Sequence, residues 1–189
     1  MEFFKKRNTA IAVFVVVVVV FSLIGCHLSL SRAVRQVEDA FFDKTLLHAD
    51  GYYTCPADQL QNCVALSNRL LSVIGQDSQW SEAYEELKTC RLALDDALRD
   101  RDIQRIANSN QALVEAVAAV EALVEAGAPL PDSNDDFYAI ISDFHGAQSV
   151  LDNNAYNNHV LAFWDGVLNP FPTNILRHLT FVAPPETFP

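Results

Sequence analysis

TAIAVFVVVVVVFSLIGCHLSL, residues 9–30, is the stretch whose reading decides the fold. It carries no Asp, Glu, Lys or Arg, and Val15 to Val20 form an unbroken valine block. At about 1.5 Å rise per residue the run makes a helix of roughly 33 Å, enough to cross a hydrocarbon core of about 30 Å. Branching at Cβ makes valine a mediocre helix former in water. In lipid a lone segment must satisfy every backbone amide within itself, which leaves helix as the only conformation.

The flanks orient the segment. Lys5, Lys6 and Arg7 precede it, whereas Arg32 and Arg35 follow it among Glu38, Asp39 and Asp43. Counting basic residues, with the α-amine on the first side, predicts a cytoplasmic N-terminus over residues 1–8 and an exported remainder. A second reading starts from Leu23-Ile24-Gly25-Cys26, which resembles a bacterial lipobox, with cleavage before Cys26 and lipid on its sulfur. Against it, Leu30, Val34, Val37 and Phe41 continue at helical spacing, as in one helix that leaves the bilayer and runs on. Either anchor leaves the bulk of the chain on the same exported face.

Composition narrows what that bulk can bind. The first eight residues hold three of the 13 Lys+Arg and one of the 24 Asp+Glu, so the rest carries ten basic against 23 acidic residues. A surface with that surplus repels phosphate backbones and anionic headgroups, which excludes nucleic acid as a partner. Cys26, Cys55, Cys63 and Cys90 show no zinc-type spacing. Two alternatives stand for the latter three: buried thiols acting as small hydrophobes, or a Cys55–Cys63 disulfide in an exported domain.

Beyond Ser31 the pattern is helical throughout. The first helix is expected to continue to about Leu47, with Gly51 as a left-handed cap after His48-Ala49-Asp50. Pro56 fits the first position of a second helix reaching about Gly75, with Leu60, Cys63, Leu66, Leu70 and Val73 on one stripe. Ser81, Glu82, Glu85 and Glu86 open a third, with an apolar face of Ala83, Leu87, Cys90, Leu94 and Ala97. After a junction at Arg99-Asp100-Arg101-Asp102 comes a coiled-coil-like seam of Ile103, Ile106, Asn110, Leu113, Val117, Val120 and Val124, in which Asn110 is placed to fix register. Gly127-Ala128-Pro129-Leu130-Pro131 breaks the chain. A fifth helix is expected from about Asp135 to Leu168, stopped by Asn169-Pro170-Phe171-Pro172. The tail from Thr173 to Pro189 is apolar enough to dock on the bundle or on the membrane.

Catalytic groups do not assemble in this pattern. His27, His48, His145, His159 and His178 are scattered, with no metal-binding spacing, and no phosphate loop or nucleophile elbow occurs. Asp132, Asn134 and Asp136 alternate like a calcium loop, but the sixth position is Phe137 instead of Gly and the twelfth is Asp143 instead of Glu. No catalytic, cofactor or metal residue is therefore assigned. Tyr156, Asn157, Trp164 and Phe171 are candidates to frame a partner groove; alternatively Asn157 with Asn174 braces the helix end and the Pro-rich turn.

Tyr156-Asn157, Val160, Phe163, Phe171-Pro172-Thr173-Asn174, Leu176, Phe181 and the closing Pro185-Glu186-Thr187-Phe188 resemble the C-terminal signature of the LemA family. The order of elements is similar over the whole chain, but specific residues match only over about Asn154 to Phe188. The family's Arg-Arg-x-Asp-Leu-Ile-Pro-Asn-Leu-Val stretch is absent, with Gln59 to Leu71 in its place, so the chain resembles a short, divergent member. The resemblance implies a membrane-anchored antiparallel helical bundle with no established enzymatic activity, and it leaves orientation open.

The expected protein is all-α, with a transmembrane helix over 9–30 running into an antiparallel bundle of four to five helices over 31–189. Its expected role is a single-pass scaffold or interaction module of the bacterial cell envelope, without catalysis, for a protein partner of unknown identity. The alternatives are a lipoprotein held through Cys26 that docks an envelope complex, and an enzyme acting on an envelope substrate.

Overall fold

The computed structural model describes residues 7–43, 55–75, 79–130 and 134–188, and among these every regular element is helical. The elements are α1 (Arg7–Asp39), α2 (Pro56–Ile74), α3 (Ser81–Asp100), α4 (Ile103–Glu125), α5 (Asn134–Asp152), α6 (Tyr156–Phe163), a π-helical turn (Trp164–Leu168) and α7 (Thr173–Leu179). They form two compact units, each discontinuous in sequence: Met1–Asp39 with Asn158–Pro185, and Ala40–Asn157 with Glu186–Pro189.

In the first unit α1 runs unbroken for 33 residues, about 50 Å. Its most apolar window is not buried at all, and Phe14 and Phe21 are 68% and 70% exposed. Exposure falls on one stripe from Leu23 through Cys26 and Leu30 to the buried Val34 and Val37, spacings of three and four that keep one helix face inward. Within the same unit α7 packs on α1, and His27 Nδ1–H donates to the Thr180 carbonyl at 2.9 Å. The π turn also packs on α7, where the Arg177 guanidinium lies 4.8 Å over the Trp164 ring.

The second unit is a four-helix bundle. The pairs α2–α3, α3–α4 and α2–α5 are in close backbone contact, and side-chain bonds link α4 with α5, which closes the ring. Most of its core lies where the periodicity puts it: Leu60, Cys63, Leu66 and Leu70 of α2, Leu87 and Leu94 of α3, and Ile103, Ile106, Asn110, Leu113, Val117 and Val120 of α4 are buried, whereas Val73, Cys90 and Val124 of the same stripes are only half-buried. Pro56 opens α2, with Cys55 extended before it and Gly75 at φ 65° after it. The charged junction is a tight turn. Arg101 caps α3 in the left-handed region, and the Asp102 carboxylate accepts from Arg105 N–H at 2.9 Å as the N-cap of α4. Trp80, fully buried, donates its indole N–H to the Pro129 carbonyl and so ties the α4–α5 connection to the start of α3.

Three expectations are corrected. First, α1 ends at Asp39, short of Leu47, and Ala40 to Phe42 form a turn; the expected end at His48–Gly51 lies outside the described residues, as does Asp132. Second, the fifth helix is not continuous from Asp135 to Leu168. It stops at Asp152 because neighbouring amides divert the backbone: Asn153 donates to Ser149 O, Asn154 donates to Leu151 O, and Asn154 Oδ1 accepts from Tyr156 N–H at 2.8 Å. Third, the Cys55–Cys63 disulfide, one of the two alternatives for these thiols, is not formed. Cys55 caps α2 and Cys63 sits two turns along it, about 12 Å away at helical rise, well beyond the roughly 7 Å limit between bridged Cα atoms.

Candidate functional site

The polar features of the bundle converge between α4 and α5. Asn110 enters the α4 seam and meets Gln148 of α5 in a reciprocal amide pair: Asn110 Nδ2 donates to Gln148 Oε1 at 3.1 Å, and Gln148 Nε2 donates to Asn110 Oδ1 at 3.0 Å. Gln148 Nε2 also reaches Cys63 Sγ of α2 at 3.4 Å, so three helices share one network. Burial pushes the Cys63 thiol up to about 11, with the Gln148 contact opposing the shift more weakly. Burial, followed by the charges of Glu86 and Glu115, raises Cys90 as well. Beside the amide pair opens a cleft of about 390 Å³, lined by Asn108, Asn110, Gln111, Gln148, Asp152 and Phe188 among others.

Phe188 arrives there on a strap formed by the end of the chain. Glu186 Oε2 accepts from Gln104 N–H in the first turn of α4 at 3.2 Å, a carboxylate at the positive end of a helix dipole. The Glu186 carbonyl accepts from Tyr156 O–H at 2.7 Å. Asn157 then takes both backbone groups of Phe188: its Oδ1 accepts from Phe188 N–H at 2.9 Å and its Nδ2 donates to Phe188 O. The Phe188 ring packs 5.3 Å from Phe41, which also meets Tyr156 edge-on at 5.1 Å.

The four groove candidates therefore have distinct surroundings. Tyr156 is fully buried and Asn157 spends its amide on Phe188, so both hold the strap. Trp164 and Phe171 belong to the other unit, Trp164 half-buried under Arg177 and Phe171 79% exposed. Asn157 is paired with the strap instead of with Asn174, whose Oδ1 is buried without a hydrogen-bond partner. Cys26 lies mid-helix in α1, half-buried on the inward stripe.

Two contributors lacked notice in the linear pattern. Gln148 follows Phe144 by four residues and precedes Leu151 by three, so a polar residue stood on the core stripe of α5 in plain view. Glu186 carried no signal, because its partner Gln104 is 82 residues away. His145 pairs with Glu121 across α5 and α4 at 3.0 Å on the exposed side. Among the described residues no group of His, Cys, Asp and Glu has metal-holding geometry. The cleft offers amide donors and acceptors with one carboxylate, a lining suited to gripping a polar group through hydrogen bonds. Compared with known proteins, the chain matches no family model, no curated protein and no solved structure.

Proposed function

We propose that this chain is a single-pass, membrane-tethered helical interaction module of the cell envelope, of LemA-like layout, with its N-terminus cytoplasmic and its bundle exported. One observation carries the reading: among the described residues nothing buries the apolar window of α1, and its exposed Phe and Val side chains have a favourable environment in lipid and none in water. Lys5, Lys6 and Arg7 support the orientation. The bundle supplies the interaction surface, an acidic exterior with an amide-lined cleft, and the role involves no catalytic step.

Membrane fractionation and protease accessibility test this together. The full chain is expected to resist alkaline carbonate extraction, and trypsin added to intact cells or spheroplasts is expected to cut at Arg99 or Arg101, which lie at the exposed α3–α4 turn. Release by carbonate refutes the anchor; cleavage only after lysis reverses the orientation. Leu23-Ile24-Gly25-Cys26 supports a second reading, a lipoprotein docking an envelope complex. A mass beginning at Cys26 with added acyl groups would establish that anchor and exclude the span.

A further inference from the structure

We infer that α7, with Phe171 before it and Phe181 after it, is an interfacial wedge that embeds in the same bilayer as α1, at the leaflet where the α1 span ends. The inference rests on the membrane-anchor reading and adds a second lipid-contacting element to it.

The distribution of exposed apolar side chains comes first. Among the described residues of the bundle unit, large hydrophobics at the surface are single and dispersed: Leu92, Leu123, Tyr138 and Val150. In the α6–α7 segment they crowd together, with Ile175 50%, Leu179 57%, Phe171 79% and Phe181 91% exposed. Helix α7 has the inverse of a soluble pattern. Leu176 and Thr180, one turn apart, face inward, while Ile175 and Leu179, also one turn apart, face out.

Position names the occupant. The His27–Thr180 bond pins the end of α7 to α1 18 residues after Thr9, about 27 Å along the span and so within a few ångström of its far edge. Phe181 is the very next residue. Whatever solvent surrounds Phe21, Ile24 and Leu28 on α1 thus reaches α7, and that solvent is lipid near its boundary with water. The polar groups of the segment agree with this depth. Trp164 stacked under Arg177 is an aromatic and a cation of the kind that settles at the headgroup level, and His178 lies beside Arg177.

The test places a photoreactive benzoylphenylalanine singly at Phe181, Phe14 or Tyr138 of the full chain, all exposed positions where an aromatic replaces an aromatic. Each protein is reconstituted into phosphatidylcholine–phosphatidylglycerol vesicles, irradiated and analysed by intact mass. Lipid adducts at Phe181 comparable to those at Phe14, with none at Tyr138, are the expected result. Adducts at Phe14 without any at Phe181 overturn the wedge and leave the anchor standing, whereas their absence at both positions removes the anchor and the wedge with it. A protein–protein adduct at Phe181 in place of lipid overturns the wedge in favour of a self-association face.

Discussion

Replacing Asn110 by leucine would leave the Gln148 amide facing an apolar side chain, without its 3.0 and 3.1 Å bonds. A buried polar group deprived of its partner costs about 1–3 kcal/mol. The adjoining cleft admits water to Gln148, so the lower half of that range applies, about 1.5 kcal/mol; Gln148→Leu, which strands Asn110, costs a similar amount. In the double variant neither amide remains to be stranded, and two leucines extend the seam of Ile106, Leu113 and Leu151. Its stability is expected within about 0.5 kcal/mol of the natural chain, giving a coupling of about 2.5 kcal/mol. Urea unfolding of the full chain, carrying Trp164→Phe so that Trp80 is the one tryptophan, in dodecylmaltoside micelles and followed by fluorescence and circular dichroism, reads this as a midpoint about 1 M lower for each single variant and nearly restored in the double. Asn108→Leu, on the exposed part of the cleft rim, is the control and should shift little. Strict additivity, with the double variant about 3 kcal/mol destabilised, would falsify the claim that this pair ties α4 to α5.

Other consequences follow from the same contacts. Tyr156→Phe deletes one hydrogen bond to Glu186 O and should cost about 1 kcal/mol, whereas Phe188→Ala empties the site against Phe41 and should cost about 3 kcal/mol; a reversed order in urea midpoints would contradict the strap. Because the folded thiol of Cys63 titrates near 11 against an ordinary 9.0, the folded chain holds that proton more tightly. Its contribution to stability is complete below pH 9 and declines as pH rises from 9 to 11, by up to about 1.4 kcal/mol per pH unit, and Cys63→Ala should remove that slope from the pH dependence of the urea midpoint. In native protein at pH 8, Cys63 should resist dithionitrobenzoate until urea is added; immediate reaction would mean the site is open. Asp102→Ala removes the N-cap of α4 and should lower stability by about 1 kcal/mol, measured by thermal unfolding in micelles.

Periodicity alone determined a good part of this protein. Spacings of three and four located the buried faces of α2, α3 and α4, including the polar Asn110, because a helix face is a property of neighbours within one or two turns. Pro56, Arg101-Asp102 and Gly127 marked helix ends for equally local reasons, and the unbroken apolar run over residues 9–30 became the exposed part of α1. What tertiary structure alone decided is long-range. The apolar pattern runs on through Asn153-Asn154 as if helix did too, yet the amide side chains bond to nearby backbone and split α5 from α6. The Tyr156-Asn157 pair was conspicuous, but its partners Glu186 and Phe188 lie some thirty residues onward, and no periodic signal links a helix start to the backbone of an extended tail. Leu179 and Phe181 belong to a tail whose apolar composition fits docking on the bundle or on the membrane alike; packing turned Thr180 inward and left them bare, since which side of a short segment is covered depends on the surface it meets.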